Sequence, residues 1–493
     1  MLEKMNLEKK MSKKEYKHIM KELEPRLSLL QRRQKDAKIP VIILFEGFGA
    51  SGKGTLINEL IQPMDPRSFK VFTIQKPVEE ETMRPYLWRF WTKLPEKGRI
   101  HIFDRSWYKK KVKSCVENEG KVPSDNIYQD ILDFEEDLTK DGMLIIKFFL
   151  HISQKEQAKR FRNLESNKET EWRVHEKDWK HNRDYDKWLK AYDEMIQKTD
   201  TSFAPWTIVE ATDREYAKVK ILSTVADILS ERLDREEKEA KHPADETRSE
   251  AVFDFSSSVL DGIDLSKSLT KTVYKKKCNE LQKRMSLLHS ELYKRRISMV
   301  LCFEGWDAGG KGGAIRRLTK MMDPRGYEVI PVAAPNAVEK GYHYLWRFWT
   351  HMPKAGHVAI FDRSWYGRVM VERIEGFCSE EEWKRAYNEI NRMEAQLSDA
   401  GAIVIKFWMH IDPDEQKRRF EERMENPAKQ WKITEEDWRN REKWDDYVKA
   451  VDEMILRTST SYAPWVIVEG NDKLYARVKV LETVIEAIEE KLK

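Results

Sequence analysis

The sequence predicts a doubly wound α/β fold, written twice in one chain of 493 residues. Three observations carry that prediction. Short continuous apolar runs of strand length alternate with longer segments of helical periodicity. The first apolar run in each half passes into a glycine-rich turn and then a helix-like segment. The pattern also repeats in register: FEGFGASGKG from Phe45 returns as FEGWDAGGKG from Phe303, a shift of 258 (303 − 45). MDPR, YLWRFWT and FDRSWY, from Met64, Tyr86 and Phe103, return at Met322, Tyr344 and Phe361 with the same shift. One inserted residue then makes it 259, as in IKFFLHI from Ile145 against IKFWMHI from Ile405. This is a duplicated domain of roughly 200 residues, not a solenoid of short units.

Taken in order, an amphipathic helix over Tyr16 to Gln34 precedes a strand at Val41 to Phe45, and Tyr274 to Arg296 precedes its equivalent at Ser298 to Phe303. Further strands are expected at Val358 to Phe361, Ala402 to Met409 and Trp465 to Val468. Continuous apolar runs suit parallel strands covered on both faces, so a parallel sheet flanked by helices follows. From about Glu231 to Thr270 the chain becomes charged and then Ser-rich, with spaced apolar positions returning at Val259 to Leu269. The boundaries are set at 1–235 for the first domain, 236–265 for a linker and 266–493 for the second domain.

Composition excludes several classes. With 40% hydrophobic residues and 17 Trp, 17 Tyr and 19 Phe, the chain is globular rather than disordered. No run approaches the roughly 18 apolar residues of a spanning helix, and the polar start lacks a secretory core, so a cytoplasmic protein without a membrane partner is expected. The 90 Lys+Arg against 85 Asp+Glu leave only +5, which argues against a general nucleic-acid surface and makes any anion site local. Cys115, Cys278, Cys302 and Cys378 show no metal-ligand spacing and are read as structural.

Chemistry is carried by Gly305-Trp-Asp-Ala-Gly-Gly310-Lys311, a G-x-x-x-x-G-K phosphate-binding loop placed between a strand and a helix. Its glycines let backbone N–H groups turn around a phosphate, and the lysine reaches the outer phosphates. The usual hydroxyl after the lysine is missing, since Gly312 and Gly54 stand there. Carboxylates are the candidates to replace it: Asp362, ending VAIFD 51 residues after Lys311, and Asp307 inside the loop. Basic candidates follow: Arg363, Arg368, Arg373, and the helix carrying Lys417, Arg418, Arg419 and Arg423. That helix and the following Trp431-Lys432 occupy the place of a mobile lid in kinases of this architecture.

FEGWDAGGKGG, LWRFW, FDRSWYGRVMVERIEGF, the basic region through WKITEEDW, and TSTSYAPW closely resemble the polyphosphate kinase 2 family over nearly all of both copies. The two-domain form resembles the subgroup that makes ADP from AMP and inorganic polyphosphate. The resemblance implies tandem P-loop kinase domains similar to thymidylate kinase, each with a helical lid. It implies catalytic roles for Asp307, Lys311, Asp362 and Arg363, and Mg²⁺, or Mn²⁺ on the same oxygen ligands, at Asp307 and Asp362. Gly305, Gly310, Gly312, Arg419, Arg423 and Lys432 are expected to hold polyphosphate, and Arg363, Arg368 and Arg373 the AMP or ADP. The N-terminal copy departs: Gly49 matches Asp307 while Lys53, Asp104 and Arg105 remain, and Gly367-Arg368-Val369 becomes Lys109-Lys110-Lys111. That copy is expected to be catalytically silent. An ADP or GDP acceptor, an ATP-dependent nucleoside monophosphate kinase and a non-catalytic polyphosphate binder stay open as alternatives, as does homo-oligomerisation.

Overall fold

The computed structural model describes residues 1–117, 126–241, 258–427 and 430–493, and leaves the side chains of 239–241, 432 and 436 undescribed. Residues 242–257, most of the expected linker, lie outside the described residues. The chain divides into two compact units. The first comprises Met1–Lys76, Phe90–Arg248 and Gly341–His343, and the second Pro77–Arg89, Ser249–Lys340 and Tyr344–Lys493.

Each unit is built on a five-stranded sheet whose pairings are all parallel. In the first the strands are β1 (Val41–Gly47), β2 (Phe69–Thr73), β3 (Ile100–Asp104), β4 (Leu144–His151) and β5 (Trp206–Glu210), in the order β2-β3-β1-β4-β5. In the second, β6 (Met299–Gly305), β7 (Tyr327–Pro331), β8 (Val358–Asp362), β9 (Ile403–His410) and β10 (Trp465–Glu469) run β7-β8-β6-β9-β10, the same order. The central strands are apolar on both faces because helices cover both sides, and β9 is buried along its whole length. The edge strands β2 and β7 were not among the expected strands. No residue of Phe69–Thr73 is buried, and only Ile330 is buried in Tyr327–Pro331, so neither shows an apolar run.

In the second unit Leu301 and Phe303 of β6, Ile360 of β8 and Phe407 of β9 pack against Ile315 and Leu318 of the helix Lys311–Leu318 and Leu481 and Val484 of the helix Lys473–Leu492. This core fixes the C-terminal edge of the sheet, where the loops carry the site. The expected first-domain boundary at 235 falls inside a helix, Arg214–Lys241. Beyond the undescribed segment, Leu260 is buried, and the Ser258 hydroxyl donates to Asp452 at 2.9 Å.

Candidate active site

The site begins where β6 runs out. At Gly305 φ is +139°, and a Cβ there would meet the Met409 carbonyl oxygen at 2.5 Å, so only glycine fits. The loop closes through Gly310 at φ +109°, which caps the helix Lys311–Leu318 and aims its N-terminus into the cavity. Two non-glycine residues, Ala308 (φ +61°) and Arg363 (φ +65°), are held in the left-handed region. Such conformations cost free energy and persist where the surroundings enforce them; the Arg363 N–H donates to the Phe303 carbonyl at 3.0 Å.

Lys311 folds back over the loop, its Nζ donating to Gly305 O at 2.6 Å and Trp306 O at 3.2 Å. Burial lowers its pKa, against the opposing pull of Asp307. The Asp307 carboxylate is held on both oxygens: Arg363 Nη2 donates to Oδ1 at 3.2 Å and Asn440 Nδ2 to Oδ2 at 3.1 Å. Gln416 Nε2 donates to the Asp307 carbonyl at 3.2 Å. Beneath the loop, buried Glu304 accepts from the Ser364 hydroxyl at 2.7 Å, and burial raises its pKa.

Two cavities meet here. One, of about 480 Å³, is lined by Asp307, the loop through Gly313, Asp362, Arg363, Arg423 and Trp431. The other is aromatic, with Trp306, Met370, Val371, Trp408, Trp444 and Tyr447 among its walls, and again includes Asp307 and Arg363. Trp306 is anchored by stacking on Trp444, with ring centroids 3.7 Å apart at 14°, and its Nε1–H donates to His410 Nδ1 at 3.1 Å.

The expected residues Gly305, Asp307, Gly310, Lys311, Gly312, Asp362, Arg363 and Arg423 thus come together around these cavities. Three others have different surroundings. Arg419 is buried, with Nη1 donating to Ala308 O at 2.8 Å, Nη2 to Asn471 O at 3.1 Å and Nε to Glu415. It braces the loop from behind instead of presenting an open charge to a polymer. Arg368 pairs with Glu372 at 3.1 Å and lies over the Tyr344 ring. Arg373 pairs with Glu453 at 2.7 Å and lies over Trp383. Neither arginine lines either cavity. The Lys432 side chain is not among those described. Sequence reasoning missed Asn440, Gln416 and Trp444, which sit on polar helices without a motif. A signal existed in the comparison of copies: where Asp307 becomes Gly49, Asn440 becomes His181.

The N-terminal loop keeps the frame and loses the acid. Lys53 donates to Gly47 O and Phe48 O at 2.8 and 2.9 Å, and burial lowers its pKa to about 8. Its cavity, about 730 Å³, is lined by Lys53, Asp104, Arg105, Arg160, Arg173 and Arg214 among others. Phe48 stands where the other copy has Trp306, stacked on Tyr185 at 4.5 Å, and the buried His151 Nδ1 is left without a hydrogen-bond partner.

Both copies share a buried ionic network under the second motif. Lys406 Nζ donates to Glu394 at 2.7 Å, Tyr366 OH at 2.9 Å and Thr458 O at 2.6 Å, while Tyr366 and Trp365 also donate to Glu394. Lys147, Glu135, Tyr108, Trp107 and Thr199 repeat it. Since it persists in the copy that lost the loop acid, its task is to seat the Ser-Trp-Tyr turn.

A five-stranded parallel sheet with a phosphate-binding loop after its central strand, and an acid ending the adjacent strand, defines a P-loop kinase domain, here present twice. The profile of the family Polyphosphate kinase 2 (PPK2) matches residues 10–239 and 268–493, and the chain belongs to this family. It is 43% identical over 471 residues to a polyphosphate:AMP phosphotransferase of Pseudomonas aeruginosa, covering 95% of each chain. It is 34% identical to one of Acinetobacter johnsonii, covering 94% of each. A crystal structure from Pseudomonas aeruginosa, reported as polyphosphate kinase 2, superimposes with a TM-score of 0.87 at 40% identity over 100% of this chain and 99% of that one. No helix among the described residues is long and apolar enough to cross a membrane.

Proposed function

We propose that the second unit transfers a phosphoryl group from inorganic polyphosphate to AMP, giving ADP and a polymer shorter by one phosphate. The observation that carries this reading is that Asp307 and Arg363 line both cavities, one aromatic and one built on the phosphate-binding loop with Lys311 and Arg423. The aromatic cavity suits a nucleoside, and the other, with the loop N–H groups, Lys311 and Arg423, suits a phosphate chain, so the two substrates meet at these side chains. The names of the relatives that match across most of the chain supply AMP as the acceptor.

In this reading an oxygen of the AMP phosphate attacks the terminal phosphorus of the polymer. The P–O bond to the next phosphate breaks, and its electron pair leaves with the shortened chain. The AMP phosphate is largely ionised near neutrality, its second pKa being ~6, so no base is required. Lys311 and the loop N–H groups hold the transferring phosphate, Arg363 offsets charge at the meeting point, and Asp307 orients Arg363 while Asn440 fixes Asp307. Arg423 and Trp431 wall the site and limit water as a competing acceptor.

Among the described residues no group of three or more His, Cys, Asp or Glu side chains forms a ready-made metal cage. Asp307 and Asp362 nevertheless line one cavity, which fits a hard divalent cation that uses one or two carboxylates and completes its shell with phosphate oxygens and water. Mg²⁺ or Mn²⁺ bound there would screen the phosphate charge.

The test is nucleotide analysis after incubating the full chain with AMP, Mg²⁺ and long-chain polyphosphate, beside the same reaction with ATP as donor. ADP formed from polyphosphate with AMP supports the reading. ADP formed only with ATP overturns the donor, and turnover of ADP or GDP but not AMP overturns the acceptor.

A further inference from the structure

We propose that a groove beyond the far end of the loop helix anchors the distal length of a long polyphosphate chain, so that the C-terminal unit distinguishes long polymers from short ones. The inference rests on the polyphosphate reading above and adds a binding site remote from the reacting atoms.

The groove, about 660 Å³, lies between the helices Lys271–Arg295 and Lys311–Leu318, and Lys275, Asn279, Arg316, Arg317 and Lys320 line it. No carboxylate lines it. Lys275, Arg316 and Lys320 are exposed, and among the described residues none of them forms an ion pair. On the first of these helices Lys277 pairs with Glu482 at 2.9 Å and Arg284 with Glu489 at 2.6 Å, whereas Lys271, Lys276 and Lys283, like Lys275, form no ion pair among the described residues. What sets Lys275 apart is the concavity it shares with Arg316, Arg317 and Lys320. An unmatched cation cluster in a concavity is a binding surface for an anion that spans it.

Three of its four cations belong only to the copy that keeps Asp307, while Lys275 is matched by Lys17. At the equivalent N-terminal positions, Arg316 becomes Asn58, Arg317 becomes Glu59 and Lys320 becomes Gln62. Glu59 is itself paired with Arg214 and Lys218 at 2.7 and 2.9 Å. The general demands of the fold therefore do not require these cations.

The groove and the site lie on one helix, Lys311–Leu318, with the phosphate-binding loop at its start and Arg316 and Arg317 in its last turn. Arg317 Nη1 donates to the Gly313 carbonyl at 3.3 Å, and a methyl group added at Gly313 would lie 3.5 Å from the Arg477 guanidinium. Arg423, Lys473 and Arg477, with Glu422 and the buried Arg419, line a cavity of about 270 Å³ beside the loop. Arg316 stands five residues past Lys311, roughly 8 Å along the helix at ~1.5 Å per residue, and Lys320 lies in the 3-10 turn Thr319–Met321 that follows. A chain with its terminal phosphate at Lys311 and long enough to run past the loop helix thus reaches the cations of the groove. A chain of three phosphates is too short to use it, whereas a long one gains several weak contacts at high effective concentration.

The test uses the full chain carrying Lys275→Gln, Arg316→Gln and Lys320→Gln together, with Arg316→Glu alone as a second variant. All three positions are exposed, and Tm checks that the fold is intact. KM for long-chain polyphosphate and Kd for long-chain polyphosphate and for tripolyphosphate are measured in wild type and variants. Long-chain KM and Kd should rise roughly five- to twentyfold in the triple variant, the sum of a few exposed ion pairs. KM for AMP and Kd for tripolyphosphate should not move. Unchanged long-chain values, or equal losses for both chain lengths, overturn the groove. Single-stranded DNA displacing the long polymer equally well from wild type but not from the variant also overturns it, by making the groove an unselective anion sink. A wild-type chain that forms no ADP from polyphosphate overturns the functional reading and this inference with it, whereas an active wild type with unaffected variants overturns the groove alone.

Discussion

Arg363 Nη2 lies 3.2 Å from Asp307 Oδ1, joining the end of β8 to the phosphate-binding loop across two cavities. The pair neutralises a carboxylate that would otherwise repel phosphate, and in the proposed reaction it places a guanidinium where the two phosphates would meet.

Replacing the acid should therefore uncouple the site without unfolding it. Asp307→Asn is expected to lower kcat on the order of a hundredfold, the scale of losing one preorganised electrostatic group, with Tm nearly unchanged. Gly49→Asp should fold, because a Cβ at Gly49 meets only ordinary contacts at 3.5 Å or beyond. Added to Asp307→Asn it should restore nothing, since the N-terminal copy has His181 in place of Asn440. Steady-state ADP formation by the single and double variants checks both statements.

The loop lysines set an alkaline limit. A lysine binds phosphate in its charged form, and burial lowers the pKa of both Lys311 and Lys53. That charge is present below the lowered pKa and is lost as pH rises through it. For Lys53 the change falls at about 8. Capture of tripolyphosphate by Asp307→Asn/Lys311→Met, in which the N-terminal loop is left intact, should weaken as pH rises through about 8, as read by calorimetric titration.

Trp306 and His410 make a second pH-dependent element. Burial lowers the pKa of His410 from an ordinary 6.5 to about 4, and its Nδ1 accepts from Trp306. His151 shows the same shift. A histidine that is neutral when folded favours the folded state fully above its unfolded pKa. That contribution is lost as pH falls from 6.5 towards 4, up to about 3 kcal/mol per residue. Urea midpoints should fall across this window. Trp306→Phe should cost roughly 1 to 2 kcal/mol at neutral pH by stranding His410 Nδ1, and Phe48→Trp should raise stability by giving His151 a donor.

The Lys406–Glu394 pair should answer differently to single and double replacement. Lys406→Met alone leaves a carboxylate buried without its cation and is expected to cost about 3 to 5 kcal/mol. Lys406→Met with Glu394→Leu removes both charges and should cost less than the single change. Denaturant midpoints of the three proteins give the comparison.

The sequence made the central strands and both loops readable, because burial on two faces writes an unbroken apolar run such as VIILF or SMVLCF. Edge strands β2 and β7 were not readable, since water covers most of their side chains. Asp307, Lys311, Asp362 and Arg363 were legible because each lies in a motif that also repeats or fails to repeat in the other copy. Asn440 and Gln416 were not, being polar residues on polar helices whose importance lies in what they touch. Arg419 shows the reverse error. It reads as one more charge in a basic helix, yet it is buried among loop carbonyls, and burial is not a property of composition.

The repeated Lys–Glu–Tyr network has a consequence for recognising enzymes by likeness. The family profile matches both copies, over 10–239 and 268–493. What it measures there is scaffold: apolar strands, the turn seated on Glu135 and the glycines of the loop. Those features hold the sheet together whether or not the loop carries out chemistry. A change from Asp to Gly at one loop position hardly alters such a score, yet it removes the acid that joins the two cavities. If the first copy is silent, as the missing acid leads us to expect, counting matching domains in a tandem chain overstates the number of working sites, and the reading has to be made residue by residue at the loop.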